Sequence, residues 1–170
     1  NSADFRLRPV ASPSGYGDLI AQVVLAERLR EVKALVGFTR IDSPGELVEP
    51  GMEEMATTAP LSRQLPQWVP AVDIRGEGIF ICFDEKIIQE WLSRIKTRKH
   101  DSVFLDGHTR WRTARYIENP EANYPGLRYV LLHSFAHALI RQFALECGYT
   151  SASLRERIYS RNPEDPGGPM

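Results

Sequence analysis

Three residues in the last third of the chain could act on one ligand. His133, His137 and Arg141 are spaced i, i+4, i+8, so on a helix they stand one above another along one face. Two imidazoles at that spacing can share a divalent cation. The glutamate of the HExxH hydrolases is absent, because Ser134, Phe135 and Ala136 fill the gap. Glu146, His108 and Asp106 are the candidate third ligands. A histidine pair without a third ligand more often packs, hydrogen-bonds or faces phosphate than holds zinc. Arg141 opposes a bound cation and offers a fixed donor fork to an anion. The row therefore reads as a polar anchor for a phosphate or a carboxylate, in competition with a purely structural role, and no metal is assigned to it. A metal-dependent hydrolase or nuclease built on His133 and His137 is the alternative.

A second group carries charge rather than catalytic chemistry. Arg94, Lys96, Arg98, Lys99, Arg110, Arg112 and Arg115 stand among Trp111 and Tyr116, against only Asp101 and Asp106. Cations that neutralise phosphates, interleaved with rings that stack on bases, are what a nucleic-acid surface needs. An ordinary solvated helix face with Trp111 in the core is the competing reading. Gly76 and Gly78 are followed by no Gly-Lys-Ser/Thr sequence, so they form no phosphate-cradling loop of the nucleotide-hydrolase type.

The element that must position the histidines is Leu127 to Cys147. It has no Gly or Pro, and Leu132, Phe135, Ala136, Leu139, Ile140, Phe143 and Cys147 follow the helical period. Pro125 suits the lead-in, and Gly148 is a natural stop because it adopts the left-handed conformation without a Cβ clash. Few polar side chains interrupt the helix, which predicts burial around most of its circumference.

Upstream, the residues to Gly17 read as extended. Leu25, Leu29, Val32 and Val36 predict a helix over Leu19 to Val36, although the β-branched pair Val23–Val24 leaves room for a strand start. In that segment Arg28 and Arg30 read as solvated or paired with Glu27 and Glu31. Phe38 to Ile41 reads as a short strand. Residues 42–70 carry five prolines and an acidic excess without any period, which predicts a long loop. Val72 to Phe83 reads as a strand pair or one bent strand, buried over Ile79 to Phe83, with Gly76 and Gly78 marking a bulge or turn. Asp84 can cap the next helix, whose apolar face is Ile87, Ile88, Trp91, Leu92 and Ile95. Ser153 and Glu156 have capping-box spacing for a short helix to Tyr159.

The resulting expectation is an α+β fold. A long buried central helix packs against a small β-sheet, the Val72–Phe83 region, and against flanking amphipathic helices. The segments are 1–41, 42–70 and 71–170. A chain of 170 residues with 42% hydrophobic and 25% charged residues suits a globular domain or part of one. The net charge of −1 selects no partner. No apolar run is long enough to span a bilayer. Cys82 and Cys147 alone make neither a disulfide framework nor a zinc site, and both read as reduced core residues. A cytoplasmic setting is the default. The first residue is Asn1 rather than Met and the last segment is PEDPGGPM, which suggests a piece of something longer.

Three stretches carry a family resemblance: RLREVKALVGFTRI (28–41), WVPAVDIRGEGIFI (68–81) and LLHSFAHALIRQFALECGYTSASLRERIY (131–159). Together they cover about half the chain. The chain resembles the helicase-associated, MrfA-type zinc-binding domain family, and within it the DrmB-like accessory subunits of DISARM anti-phage systems. The resemblance implies a non-catalytic role beside a superfamily 2 helicase of the DrmA type, on DNA, with the ATP site in the helicase. It also implies a zinc-binding cysteine cluster. Cys82 and Cys147 do not match that cluster, so no cofactor is expected in this segment, and zinc is left to a region C-terminal to it.

Overall fold

The computed structural model describes residues 2–39, 59–64 and 66–160. The chain forms two compact units, residues 1–87 and 88–170, and the fold is α+β, as expected. The first unit is built on a three-stranded antiparallel sheet. Its strands are β1 (Phe5–Val10), β2 (Ile20–Ala34) and, after the two short strands below, β5 (Ala71–Phe83), in the order β1-β2-β5. The β2–β5 ladder places Ala71–Phe83 in the N-terminal unit, whereas the sequence grouped it with the helices that follow.

The central strand β2 replaces the helix expected over Leu19 to Val36. The cause lies in partners that no local period reveals. Val23 and Val24 face Ile81 and Phe80 across the β5 ladder and Val10 and Pro9 across the β1 ladder, and both valines are buried with Ile20. The charges on β2 are also matched from other strands. Glu27 pairs with Arg6 at 2.9 Å and with Arg8. Arg30 reaches Asp73 on β5 at 3.1 Å and Asp4 at 3.2 Å. Arg28 donates to the Ala3 carbonyl. Glu27 and Arg30, for which the sequence predicts local pairing, are thus matched across the sheet, Glu27 by β1 and Arg30 by Asp73 on β5 and by Asp4.

Glu27 sits where both ladders shift register, between Arg6 and Leu7 on one side and opposite Gly76 to Gly78 on the other. One extra residue on β2 makes a bulge there. Gly76 and Gly78 thus mark a bulge within one continuous strand. The apolar end of β5 is less buried than its composition predicts: Ile79 and Phe80 are 49% and 46% exposed. A three-stranded sheet cannot cover both of its faces.

Two short strands, β3 (Gly37–Phe38) and β4 (Ala59–Pro60), pair with each other. Thr39 lies outside the strand, and Arg40 and Ile41 lie outside the described residues, as does most of the long loop expected over 42–70.

Helix α1 (Glu85–Ser93) begins where expected, with Asp84 Oδ1 accepting a hydrogen bond from the Ile87 amide at 3.1 Å. The second unit holds α2 (Ile95–Thr113), α3 (Gly126–Cys147) and a 3-10 turn at Ser151–Ser153. The sequence assigned no element to the whole of α2. Its low apolar content hides the helical period. Helix α3 stops at Gly148, whose φ of 73° and ψ of 13° are left-handed. Among its described residues only Leu127 is buried, and most others are half-buried. The expected burial around most of its circumference is therefore partial.

Candidate functional site

Two members of the expected row, His133 and His137, meet a partner that the sequence reading places elsewhere, and Arg141 does not join them. His133 and His137 lie one turn apart on α3, with ring centroids 4.3 Å apart and planes nearly perpendicular. Tyr129, one turn earlier, stacks on His133 at 5.5 Å and 12°. The chain turns back after Gly148 through the 3-10 turn, where Ser153 Oγ donates to the Thr150 carbonyl at 2.7 Å. The following segment is extended, so neither the Ser153–Glu156 capping box nor the short helix to Tyr159 forms.

Glu156 is used instead as a partner for α3. Its Oε1 lies 2.7 Å from His133 Nδ1 and 3.3 Å from His137 Nε2. The three side chains are 38%, 61% and 23% exposed for His133, His137 and Glu156, so the carboxylate is the most sheltered. Among the described residues, His133, His137 and Glu156 form the group able to hold a metal ion, with ligand atoms within 4.8 Å of one another.

The other candidate ligands are engaged elsewhere. His108 Nε2 meets the Ala122 carbonyl at 3.1 Å, and its ring lies 5.6 Å from Tyr124. Glu146 accepts from Gln142 one turn before it. Asp106 and Arg141 are exposed and stand outside the group. Cys82 and Cys147 are free and exposed, not core residues, and neither joins it. A lone thiol in each unit does not fit a cysteine-bound zinc.

The basic segment divides. Arg94, Lys96, Arg98, Lys99, Arg110 and Arg115 are exposed, but Arg112 is only 5% exposed. Arg112 therefore lies in the interior of the unit and is no surface cation, because it falls on the side of α2 that also buries Thr97. At ~100° per residue, Lys96, Lys99 and Arg110 fall within about 60° of one another, on the opposite side of the helix from Arg112. Arg115 lies 3.9 Å above the Trp111 ring, a cation–π contact. Arg98 lines a cleft with Thr97, Asp101, Leu127 and Arg128 at the start of α3.

The connector between α2 and α3 is tied down by Tyr124, whose hydroxyl donates to Asp101 Oδ1 at 2.8 Å. Burial first, and then that hydrogen bond to a carboxylate, push the phenol well above its ordinary range. In the first unit the Arg8 hydrogen bond holds the Glu27 carboxyl below its usual value, helped by Arg6. Asp73 raises Arg30 in the same manner, with Asp4 adding to it.

Comparison with known proteins points in the direction of the three sequence stretches. The chain is similar to the DISARM protein DrmB of Bacillus paralicheniformis. The two are 35% identical over 158 residues, which is 92% of this chain and 27% of that protein. The chain thus spans about a quarter of the length of the relative it matches. No family model matches the chain. At 92% of the chain, the likeness extends over both units. Among the described residues no helix is long and apolar enough to cross a membrane.

Proposed function

We propose that this chain is a segment of a DrmB-like component of a DISARM anti-phage system, that it docks on a superfamily 2 helicase of the DrmA type, and that it helps to hold DNA without carrying out catalysis. The observation that carries the reading is the 35% identity over 92% of the chain to a DISARM protein. The MrfA-type zinc-binding kinship belongs to the same reading and rests on the three sequence stretches alone. The side of α2 that presents Lys96, Lys99 and Arg110 supports the DNA contact, since three exposed cations along about 20 Å of one helix side can each neutralise a backbone phosphate. Arg94, Arg98 and Arg115 are exposed but stand off that side, and Arg112 drops out.

The test is co-purification of the full-length protein with its neighbouring helicase subunit, followed by DNA binding of the pair at several salt concentrations. The expected result is a stable complex whose DNA affinity exceeds that of the helicase alone and falls steeply with salt. A helicase that purifies without this protein, and binds DNA equally well when it is added, would remove the reading.

A metal-dependent hydrolase or nuclease is the second reading. Glu156 favours it by supplying the carboxylate that the histidine pair lacked in sequence. Metal-dependent DNA cleavage that disappears in His137→Ala would establish it in place of the non-catalytic role. Absence of cleavage with zinc or manganese leaves the first reading in force.

A further inference from the structure

His133 and Glu156 are within ion-pair distance, but the pair lacks the geometry of a hydrogen bond. Nδ1 and Oε1 are 2.7 Å apart, yet Nδ1 is buried and makes no hydrogen bond among the described residues, and neither does the buried Oε2 of Glu156. A buried donor or acceptor left unmatched is destabilising, because it has given up water without a replacement partner. A histidine–glutamate pair that existed only to hydrogen-bond would turn the ring to place its N–H on the oxygen. Here Tyr129 stacks on the His133 ring, and the possible ligand atoms of His133, His137 and Glu156 lie within 4.8 Å of one another. His137 Nε2 completes the set from the next turn, 3.3 Å from the same oxygen.

We infer that His133 Nδ1, His137 Nε2 and Glu156 together bind a divalent transition-metal cation of the zinc class. Ligands at about 2.0–2.2 Å from a tetrahedral metal stand roughly 3.3–3.6 Å apart. The His137–Glu156 separation already matches, and the His133–Glu156 separation of 2.7 Å has to open by roughly 0.6–0.9 Å, through side-chain rotation of the half-exposed histidine or of Glu156. Two imidazoles and one carboxylate select zinc and its first-row neighbours over magnesium and calcium, which take all-oxygen shells. The carboxylate also answers the objection raised by Arg141, because its charge offsets that of the guanidinium one turn away. His137 is 61% exposed, so water reaches the remaining coordination position. Two ligands come from α3 and the third from the extended segment beyond Gly148. The cation therefore clamps that segment onto the helix. This site is independent of whether the chain contacts a helicase or DNA.

The experiment uses the full-length protein, stripped with a chelator and titrated with Zn²⁺, then with Co²⁺ as a spectroscopic probe. One equivalent of Zn²⁺ should be lost in Glu156→Gln and in His137→Ala, with at least a tenfold weakening at that equivalent. The wild-type minus Glu156→Gln cobalt spectrum should show ligand-field bands without thiolate charge transfer, which separates this site from any cysteine site. Glu146→Gln should bind as wild type. Amide exchange over residues 149–160 should slow on adding Zn²⁺ to the stripped wild type, a readout that needs no variant to fold. Equal metal content in wild type and both variants, or exchange over 149–160 that ignores Zn²⁺, overturns the site and leaves a metal-free polar anchor.

Discussion

His133 Nδ1 and Glu156 Oε1 approach to 2.7 Å, and so join the middle of α3 to the segment that follows its C-terminal turn. The segment 154–160 has no regular structure of its own, so side-chain links of this kind hold it. Glu156→Ala should loosen it. Arg155 and Arg157 are exposed on either side, which makes trypsin a direct reporter. Cleavage at these two arginines under native conditions is expected to accelerate several-fold in Glu156→Ala. An unchanged cleavage rate would mean that other contacts fix the segment.

Acid should weaken the sheet of the first unit. The folded-state pKa of Glu27 is depressed, above all by the Arg8 hydrogen bond. A depressed carboxylate contributes stability that is present above its unfolded pKa and is lost as pH falls through the folded value. Glu27→Gln should therefore be less stable than wild type near neutrality, by a small amount because the pair is exposed. The difference should close below the carboxylate range. Melting curves from pH 7 down to pH 3 test this, and a gap that persists in acid would assign the effect to the bulge geometry.

Alkali should act on the second unit through Tyr124. Its folded-state pKa is raised, by burial and by Asp101. The contribution is complete below the ordinary phenol value and declines as pH rises above about 10, where the unfolded chain gives up its proton first. Tyr124→Phe should cost roughly 1 kcal/mol at pH 7 through the lost hydrogen bond. It should also flatten the loss of stability between pH 9 and pH 11. Parallel alkaline curves for the two proteins would refute the assignment.

Charge reversal on α2 separates surface from interior. Lys96→Glu, Lys99→Glu and Arg110→Glu combined should lower the slope of log affinity for DNA against log salt by up to about 3, at roughly 0.9 per phosphate contact. Thermal stability should stay close to wild type. Arg112→Glu should do the reverse and destabilise the fold, since Arg112 is buried. A triple variant with the wild-type salt slope would make this face ordinary solvated surface.

Gly148 offers a test of the turn that delivers Glu156. A Cβ there would meet no atom within 4 Å, so the penalty of Gly148→Ala is purely that of the left-handed backbone at φ 73°. About 1–2 kcal/mol is expected, read from the midpoint of denaturant unfolding. Asn at the same position should recover part of it.

What the sequence determined by itself is the set of locally encoded features. The period of Leu132 to Phe143, the glycine at 148 and the aspartate at 84 act over a few residues, and each appears in the structure with the geometry its chemistry requires. The alignment of His133 with His137 is likewise a consequence of helical spacing alone. Tertiary structure decided everything that depends on a distant partner. Strand β2 has a helical period of leucines and valines. It becomes a strand because β1 and β5 supply both its apolar neighbours and the counter-charges for Glu27 and Arg30. Arg112 is indistinguishable from Arg110 in composition, and only the packing of α2 against its surroundings buries one and exposes the other. Glu156 had a plausible local use with Ser153. The turn after Gly148 instead carries it back to two histidines on the preceding helix, because the left-handed glycine ends α3 and lets the chain reverse there, a consequence of tertiary placement that no local spacing shows.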